Sequence, residues 1–245
     1  MYNLPGIALA FVLLISSFAG TVSGSEVTSC EPRSLDFGQT AVGWKHQLLS
    51  KMKRDTAYSL EQEDGRTVLR AAADGSASLY VASIKEATGL PPILSWRWKT
   101  DALVPGADNR DKKREDAPLR VIVAFDGDKA TLPEAEQARF KRARKLFGRD
   151  LPYAVLMYIW SEQVPVESLI PSAHTSQVKM LVVATGAEGL GSWQSVRRKI
   201  AEDYRRVYGA EPGRVLGVAV MTDTDNTGTK AVGRYADIRF ECAND

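Results

Sequence analysis

The densest run of oxygen ligands in the chain is Asp223-Thr224-Asp225-Asn226-Thr227-Gly228. Aspartates at alternate positions followed by glycine resemble the start of a calcium loop, because their side chains can converge on one hard cation. The bidentate glutamate expected at the twelfth place would fall at Arg234, so the run is not an EF-hand. Three interpretations stay open: an Asx-stabilised hairpin loop, a structural calcium held by Asp223 and Asp225, or a loop that contacts a polar ligand directly.

A second candidate site consists of charged and aromatic side chains from several predicted strands. If these strands pair as a meander, the side chains share one surface. Aromatic rings stack on the apolar faces of sugars, while charged groups bind hydroxyls or carboxylates. The sequence therefore predicts a groove for a saccharide or another polar ligand, although each member alone is more typical of a core or surface position. The residues expected there are Arg97, Lys99, Arg120, Tyr158, Trp160, Tyr235 and Asp237.

Paired carboxylates are the catalytic arrangement that the sequence leaves open. Asp223, Asp225 and Asp237 could approach one another across a hairpin, as the two carboxylates of a glycosidase do. The sequence contains no G-x-S-x-G elbow, P-loop, H-E-x-x-H or G-x-G-x-x-G. We therefore expect a non-catalytic binding module, with a glycan-acting hydrolase as the alternative.

Alternating side chains predict the strands that would position these groups. In the predicted strand at 93–100, Leu94, Trp96 and Trp98 share one side, while Arg97 and Lys99 share the other. The sequence predicts roughly ten such strands and two peripheral helices, near 133–147 and 195–208. Because strands and helices do not alternate regularly, the predicted fold is all-β: an antiparallel β-sandwich of jelly-roll type.

The amino-terminal segment predicts export. An uncharged apolar run at 4–18 is followed by small residues, which is typical of a signal peptide spanning 1–24. No lysine or arginine precedes the run, so a retained membrane anchor is the alternative. The remaining chain, 25–245, is then a single domain in the periplasm or outside the cell. In such an oxidising compartment Cys30 and Cys242 are expected to form a disulfide, with two free thiols as the alternative.

The charge of the chain is balanced overall and basic in places. Thirty-two basic and thirty acidic side chains give a net charge of +2, so no global field selects nucleic acid or an acidic membrane. The stretch at 139–145 carries five arginines and lysines. A third hypothesis is therefore an envelope scaffold or assembly protein, whose basic helices meet an acidic protein or anionic lipid.

Several short motifs together resemble a bacterial exported family known as domain of unknown function number 3047. They are Ser76-Ala77-Ser78, Leu94-Ser95-Trp96-Arg97-Trp98, Asp116-Ala117-Pro118 with Arg120-Val121, Trp160, Asp203-Tyr204, Met221 to Gly228 and Tyr235-Ala236-Asp237-Ile238. The resemblance implies an exported β-rich domain similar to carbohydrate-binding jelly rolls, with no catalytic residues to carry over. The basic helix around Phe140 resembles an insertion in the family pattern.

Overall fold

The fold consists of two β-sheets packed face to face, with two helices outside them. A computed structural model describes residues 30–38, 43–50, 52–84, 92–148, 150–172 and 175–243. The elements are β1 (Arg33–Ser34), β2 (Trp44–Leu48), β3 (Ala57–Glu63), β4 (Arg66–Asp74), β5 (Ser78–Ser83), β6 (Ile93–Thr100), β7 (Ala117–Phe125), α1 (Glu134–Phe147), β8 (Ala154–Ser161), β9 (Leu169–Pro171), β10 (Val178–Thr185), β11 (Gln194–Lys199), α2 (Ile200–Tyr208), β12 (Val215–Asp223) and β13 (Lys230–Glu241).

Strand pairing confirms the predicted antiparallel jelly-roll sandwich. The six-stranded sheet has the order β11-β6-β13-β4-β3, with β1 added beside β13. The seven-stranded sheet has the order β2-β5-β12-β7-β8-β10-β9. The described pairs are antiparallel except β8 with β10, which is parallel. Asp64 and Gly65 both have positive φ and join β3 to β4 in a tight hairpin, a turn that an Asp-Gly pair favours.

The core lies between the two sheets. Leu94, Trp96 and Trp98 of β6 are at most 1% exposed and pack against Leu119 and Val121 of β7 in one hydrophobic cluster. The opposite side of β6, with Arg97 and Lys99, is only partly buried. The alternation in the sequence therefore identifies correctly which side of this strand faces the core.

One predicted helix is shorter than expected. Helix α1 begins at Glu134 and ends before Gly148, which has a left-handed φ of 65°, as the sequence predicts. The helix predicted over 195–208 is wrong in its first part, because residues up to Lys199 form β11 and pair antiparallel with β6. Val196 and Ile200 are spaced as on a helix, but the segment Gln194–Lys199 alternates in burial, as an edge strand does.

A disulfide joins the two ends of the described chain. Cys30 and Cys242 are bonded, with their Cα atoms 5.8 Å apart, which confirms the predicted pairing. Such a bond is compatible with an extracellular or periplasmic protein. The predicted signal peptide at 1–24 lies outside the described residues. Within the described ranges, no helix is long and apolar enough to cross a bilayer.

Candidate functional site

A shallow groove crosses the outer face of the six-stranded sheet. Its volume is about 490 Å³, and its walls come from β4, β6, β11 and β13. Polar side chains dominate the lining, because this face of the sheet points away from the core. The lining residues are Arg66, Ser95, Trp96, Arg97, Ser195, Val196, Arg197, Asp237, Arg239 and Glu241.

Asp237 projects into the groove because β13 is irregular there. Its φ is 53°, a left-handed value that is rare outside glycine, and the register with β6 shifts between Ala236 and Arg239. The Oδ2 atom of Asp237 accepts hydrogen bonds from Nη1 of Arg66 at 2.7 Å and Nη1 of Arg97 at 3.3 Å. We call these three residues the Asp237 cluster. Left-handed non-glycine residues within bulges are common at functional sites, where they re-aim a side chain.

A second set of charges lies further along β13, and we call Glu241, Arg197 and Arg239 the Glu241 cluster. Nε of Arg197 donates to Oε2 of Glu241 at 2.8 Å, and Nε of Arg239 donates to Oε1 at 2.6 Å. The hydroxyl of Ser95 also donates to Oε1, at 2.7 Å. These donors, Arg197 first, lower the pKa of Glu241 to about 2. The carboxyl group therefore stays ionised at physiological pH.

Trp193 contacts two basic side chains of β6, Arg97 in the groove lining and Lys99, which was predicted for the groove but is not part of its lining. The guanidinium carbon of Arg97 lies 5.1 Å from the centre of the Trp193 ring, and Nζ of Lys99 lies 5.3 Å from it. The indole N–H donates to Oε1 of Glu63 at 3.2 Å, and the same oxygen accepts a hydrogen bond from Lys99. Trp193 follows the glycine-rich turn before β11. Sequence reasoning assigned Trp193 no role, because its partners come from other strands.

Three aromatic residues predicted for the groove lie in the core instead. Tyr158, Trp160 and Tyr235 are fully buried in the main hydrophobic cluster, so the prediction of one shared surface is wrong. For Tyr235 the reason is the bulge in β13, which places both Tyr235 and Ile238 in the core and breaks the simple alternation. For Tyr158 and Trp160 the reason is that β8 is buried on both faces. Its sequence is apolar throughout, so alternation does not show which side faces the core.

Arg120 also lies away from the groove, on the outer face of the seven-stranded sheet. It is 2% exposed, and its Nη1 contacts the sulfur atoms of Met157 and Met180. Its Nη2 donates to the carbonyl of Glu115 at 2.6 Å and lies 3.3 Å from Oδ2 of Asp223. The sequence could not separate this position from Arg97, because both are basic residues in strongly β segments.

Burial and ion pairing shift the pKa values of both Asp223 and Arg120. Burial raises the pKa of Asp223 to about 7, although the charge of Arg120 acts in the opposite direction. Burial also lowers the pKa of Arg120, but the negative charges of Asp223, Glu115 and Asp116 outweigh it and raise this pKa overall. The guanidinium is therefore a permanent internal cation beside a carboxyl group that titrates near neutral pH.

The predicted calcium ligands, Asp223 and Asp225, lie close together and beside a third carboxylate, Asp116. Carboxylate oxygens of Asp116, Asp223 and Asp225 lie within 4.8 Å of one another, which is close enough to hold a metal ion. Asp223, however, accepts from Arg120 and the amide of Ala117, and Asp225 pairs with Lys53 at 2.6 Å. These protein cations and donors occupy oxygens that a calcium ion would need, so the geometry favours an internal ion-pair network over a calcium site.

Asp116 explains the conformation of the loop at 223–228. Its Oδ2 accepts from the amide and the hydroxyl of Thr227, both at 2.7 Å, and its Oδ1 accepts from the amide of Asn226 at 3.2 Å. Asp116 is 1% exposed, whereas Asn226 is exposed. The loop therefore resembles the predicted Asx-type turn, but the stabilising carboxylate comes from the segment before β7.

Of the three carboxylates in the hydrolase hypothesis, Asp237 lies on the opposite face of the sandwich from Asp223 and Asp225. Asp223 is on the outer side of β12 with Arg120, and Asp237 is on the outer side of β13 with Arg97. The whole core separates these two faces, and packed sheets alone are about 10 Å apart. A catalytic pair of Asp223 or Asp225 with Asp237 is therefore wrong.

Sequence comparison connects the chain to a protein family. The family model described as "Protein of unknown function (DUF3047)" matches residues 42–239. The chain belongs to this family. No curated protein matches this DUF3047 chain by sequence.

Solved structures similar to this DUF3047 chain include an endoglucanase, a cellulase and a xyloglucanase domain. Endoglucanase 3 of family GH12 from Trichoderma harzianum is 12% identical with a TM-score of 0.44, covering 88% of this chain and 96% of its own. A thermostable cellulase derived from Cel12A of Rhodothermus marinus is 12% identical with a TM-score of 0.43, over 85% and 98%. The xyloglucanase domain of NopAA from Sinorhizobium fredii, in complex with cellobiose, is 8% identical with a TM-score of 0.39, over 80% and 91%. Similarity at this level does not indicate a shared activity.

Most motif residues of this DUF3047 chain have structural roles. Trp96 and Trp98 fill the core, and Asp116 holds the loop at 223–228. Asp203 accepts from the hydroxyl of Tyr158 at 2.9 Å and from Arg198 through both of its oxygens. The motif residues that line the groove are Ser95, Trp96, Arg97 and Asp237.

Proposed function

We propose that this DUF3047 protein is a non-catalytic module that binds a saccharide in the groove on the outer face of the six-stranded sheet. The observation that carries the proposal is the Asp237 cluster, where a left-handed residue in a bulge points a carboxylate at two arginines inside a groove of about 490 Å³. Volumes of this order are typical of small-molecule sites. Guanidinium, carboxylate and hydroxyl groups supply both donors and acceptors for sugar hydroxyls.

The groove is better suited to binding than to acid–base catalysis. A general acid needs a pKa close to the working pH, and glycosidases raise the pKa of one carboxyl group for that purpose. The pKa of Glu241 is instead lowered to about 2. Asp237 is held by Arg66 and Arg97 at once. Glu241 is therefore unsuited to the role of general acid, and both carboxylates orient arginines.

A panel of neutral and acidic oligosaccharides, screened by thermal unfolding, tests the proposal. A ligand at a hundred times its Kd stabilises by about 2.7 kcal/mol, which corresponds to roughly 5 to 10 °C for a domain of this size. Arg97→Gln should reduce the shift without changing the unfolding of the free protein appreciably. Arg110→Gln, on an exposed loop residue paired with Asp108, is the matched control. A panel without any stabilising sugar would contradict the proposal, as would release of cleaved product.

We place this function outside the cytoplasm, in the periplasm or in the medium. The disulfide between Cys30 and Cys242 supports this location, since such bonds persist in oxidising compartments. Expression of the full chain with a carboxy-terminal tag, followed by fractionation and mass measurement, tests both export and cleavage near residue 24. Recovery of an uncleaved chain in the membrane fraction would favour the retained anchor.

A scaffold role is the second candidate, and helix α1 favours it. Lys141, Arg142, Arg144 and Lys145 are exposed along this helix. An exposed basic helix attracts acidic proteins and anionic lipid surfaces. Replacing all four residues with glutamine should remove a partner from pull-downs of envelope extract while leaving saccharide binding intact. An unchanged set of partners would exclude this role for α1.

A further inference from the structure

The groove carries an excess of positive charge that its own carboxylates do not neutralise. Four arginines and two carboxylates line it, which leaves two positive charges over. Elsewhere on the same face the described charges pair more evenly, for example Lys99 with Glu63 and Arg234 with Asp101. The excess is therefore a property of the groove rather than of the whole surface.

The groove arginines retain donors for a ligand. A guanidinium has five N–H donors, and in the described contacts Arg66, Arg97 and Arg239 each use one of them on a carboxylate. The side chains of Arg66 and Arg239 are 55% and 54% exposed, and that of Arg97 is 29% exposed. Asp237 and Trp193 hold Arg97 from two sides, which reduces the entropy lost when it binds.

The two clusters are spaced for an extended ligand. Asp237 and Glu241 are four positions apart on β13, which is about 13 Å at the usual strand rise and somewhat less across the bulge. A single small anion reaches one cluster at a time. A ligand that engages both clusters must therefore be elongated and must carry more than one negative group.

We infer that the groove recognises an acidic oligosaccharide, a chain of sugar units bearing carboxylates, with one carboxylate at the Asp237 cluster and another at the Glu241 cluster. This inference rests on the proposed saccharide function and names its ligand class. Arginine is suited to this recognition because its planar donors match a carboxylate in a bidentate pair. Hydroxyls between the two carboxylates lie near Ser95 and Ser195 in the groove lining.

Calorimetry with a matched pair of ligands tests the inference. Oligogalacturonate and its fully methyl-esterified form have the same sugar chain, but only the first is charged. We expect the acid to bind and the ester to bind at least about tenfold more weakly, because charge-assisted hydrogen bonds are lost. The galacturonate monomer should also bind much more weakly than the oligomer, because it spans one cluster.

Variants of the full chain locate the binding. Arg97→Gln removes an arginine of the Asp237 cluster, and Arg239→Gln removes one of the Glu241 cluster. Each should weaken binding of the acid by about tenfold and weaken the residual binding of the ester by a smaller factor, because only the acid offers a carboxylate to the missing guanidinium. Arg110→Gln makes the same charge change outside the groove and should leave both affinities unchanged.

The outcomes separate this inference from the proposed function. Equal affinity for the acid and its ester would overturn the inference while supporting saccharide binding. Binding of neither form, nor of any other sugar in the panel, would overturn both. Competition by tripolyphosphate as strong as that by the oligosaccharide acid would show recognition of anions regardless of the sugar, and would overturn the inference as well.

Discussion

Replacing Arg120 with methionine should show how much the fold depends on its buried cation. Methionine keeps apolar contact with Met157 and Met180, whose sulfur atoms lie 3.7 and 3.4 Å from Nη1 of Arg120. The change leaves the carboxyl of Asp223 buried without its partner. Removing one member of a buried pair costs about 3 to 5 kcal/mol, which lowers Tm by roughly 6 to 20 °C at this chain length.

The dependence of this effect on pH tests its cause. The pKa of Asp223 is about 7 in the folded protein, above the value of about 3.9 of an unfolded chain. Folding therefore takes up a proton, and the contribution of Asp223 to stability falls as pH rises from about 4 to 7 and then levels off. Without Arg120 the folded pKa rises further, so the fall continues above pH 7. The loss of unfolding free energy in Arg120→Met, relative to the parent, should therefore grow by up to about 1.4 kcal/mol between pH 7 and 8.

Urea denaturation at pH 6, 7 and 8 measures these changes, with the double variant Arg120→Met/Asp223→Asn as the control. Replacing both partners removes the unpaired charge, so the double variant should recover most of the lost stability and should lose the steep pH dependence. The reasoning is refuted if Arg120→Met unfolds within about 1 kcal/mol of the parent. It is equally refuted if the deficit does not change with pH, or if the double variant is no more stable than the single one.

Three further predictions concern the disulfide, the groove and the acidic loop. Replacing Cys30 and Cys242 with serine should lower the free energy of unfolding by up to about 5 kcal/mol, because the bond closes a loop of 212 residues and so reduces the entropy of the unfolded chain. An unchanged urea midpoint would contradict this. The lowered pKa of Glu241 stabilises the fold above an unfolded pKa of about 4.3, and this contribution is lost as pH falls towards 2. Acid titration followed by circular dichroism should therefore show that Glu241→Gln loses less unfolding free energy than the parent as pH falls. The difference should be about 1 to 2 kcal/mol after allowance for partial exposure. Because Arg120 and Lys53 already pair with the carboxylates of the loop, calcium or a chelator should shift Tm by less than about 1 °C, and a rise of several degrees with calcium would restore the structural-ion hypothesis.

Local patterns in the sequence predicted the features that depend on neighbouring residues. The alternation around Trp96 and Trp98 identified a core strand, and Gly148 marked the end of α1. The disulfide could be predicted as well, because export and an even cysteine count leave few alternatives. These predictions required no knowledge of which strands are neighbours.

The composition of the site could not be predicted in the same way, because it depends on register and strand order. One bulge near Asp237 turns Tyr235 into the core while keeping Asp237 outside. Arg97 and Arg120 have similar local sequences, but they belong to different sheets and face opposite sides of the sandwich. Trp193 contacts Arg97 because the strand that follows it, β11, pairs with β6. Most of β11 lies in the segment 195–208, for which the sequence predicts a helix.

The place of β11 at the margin of its sheet has a consequence for the solubility of the chain. In the described part of the molecule it pairs with β6 alone, so its other side offers backbone donors and acceptors to any second chain. The consecutive charged residues Arg197, Arg198 and Lys199, each paired with a carboxylate, oppose such edge-to-edge association because a second strand would have to desolvate them. A groove variant such as Arg197→Gln would remove part of this protection, and its monomeric state should be verified before weaker binding is attributed to a lost ligand contact.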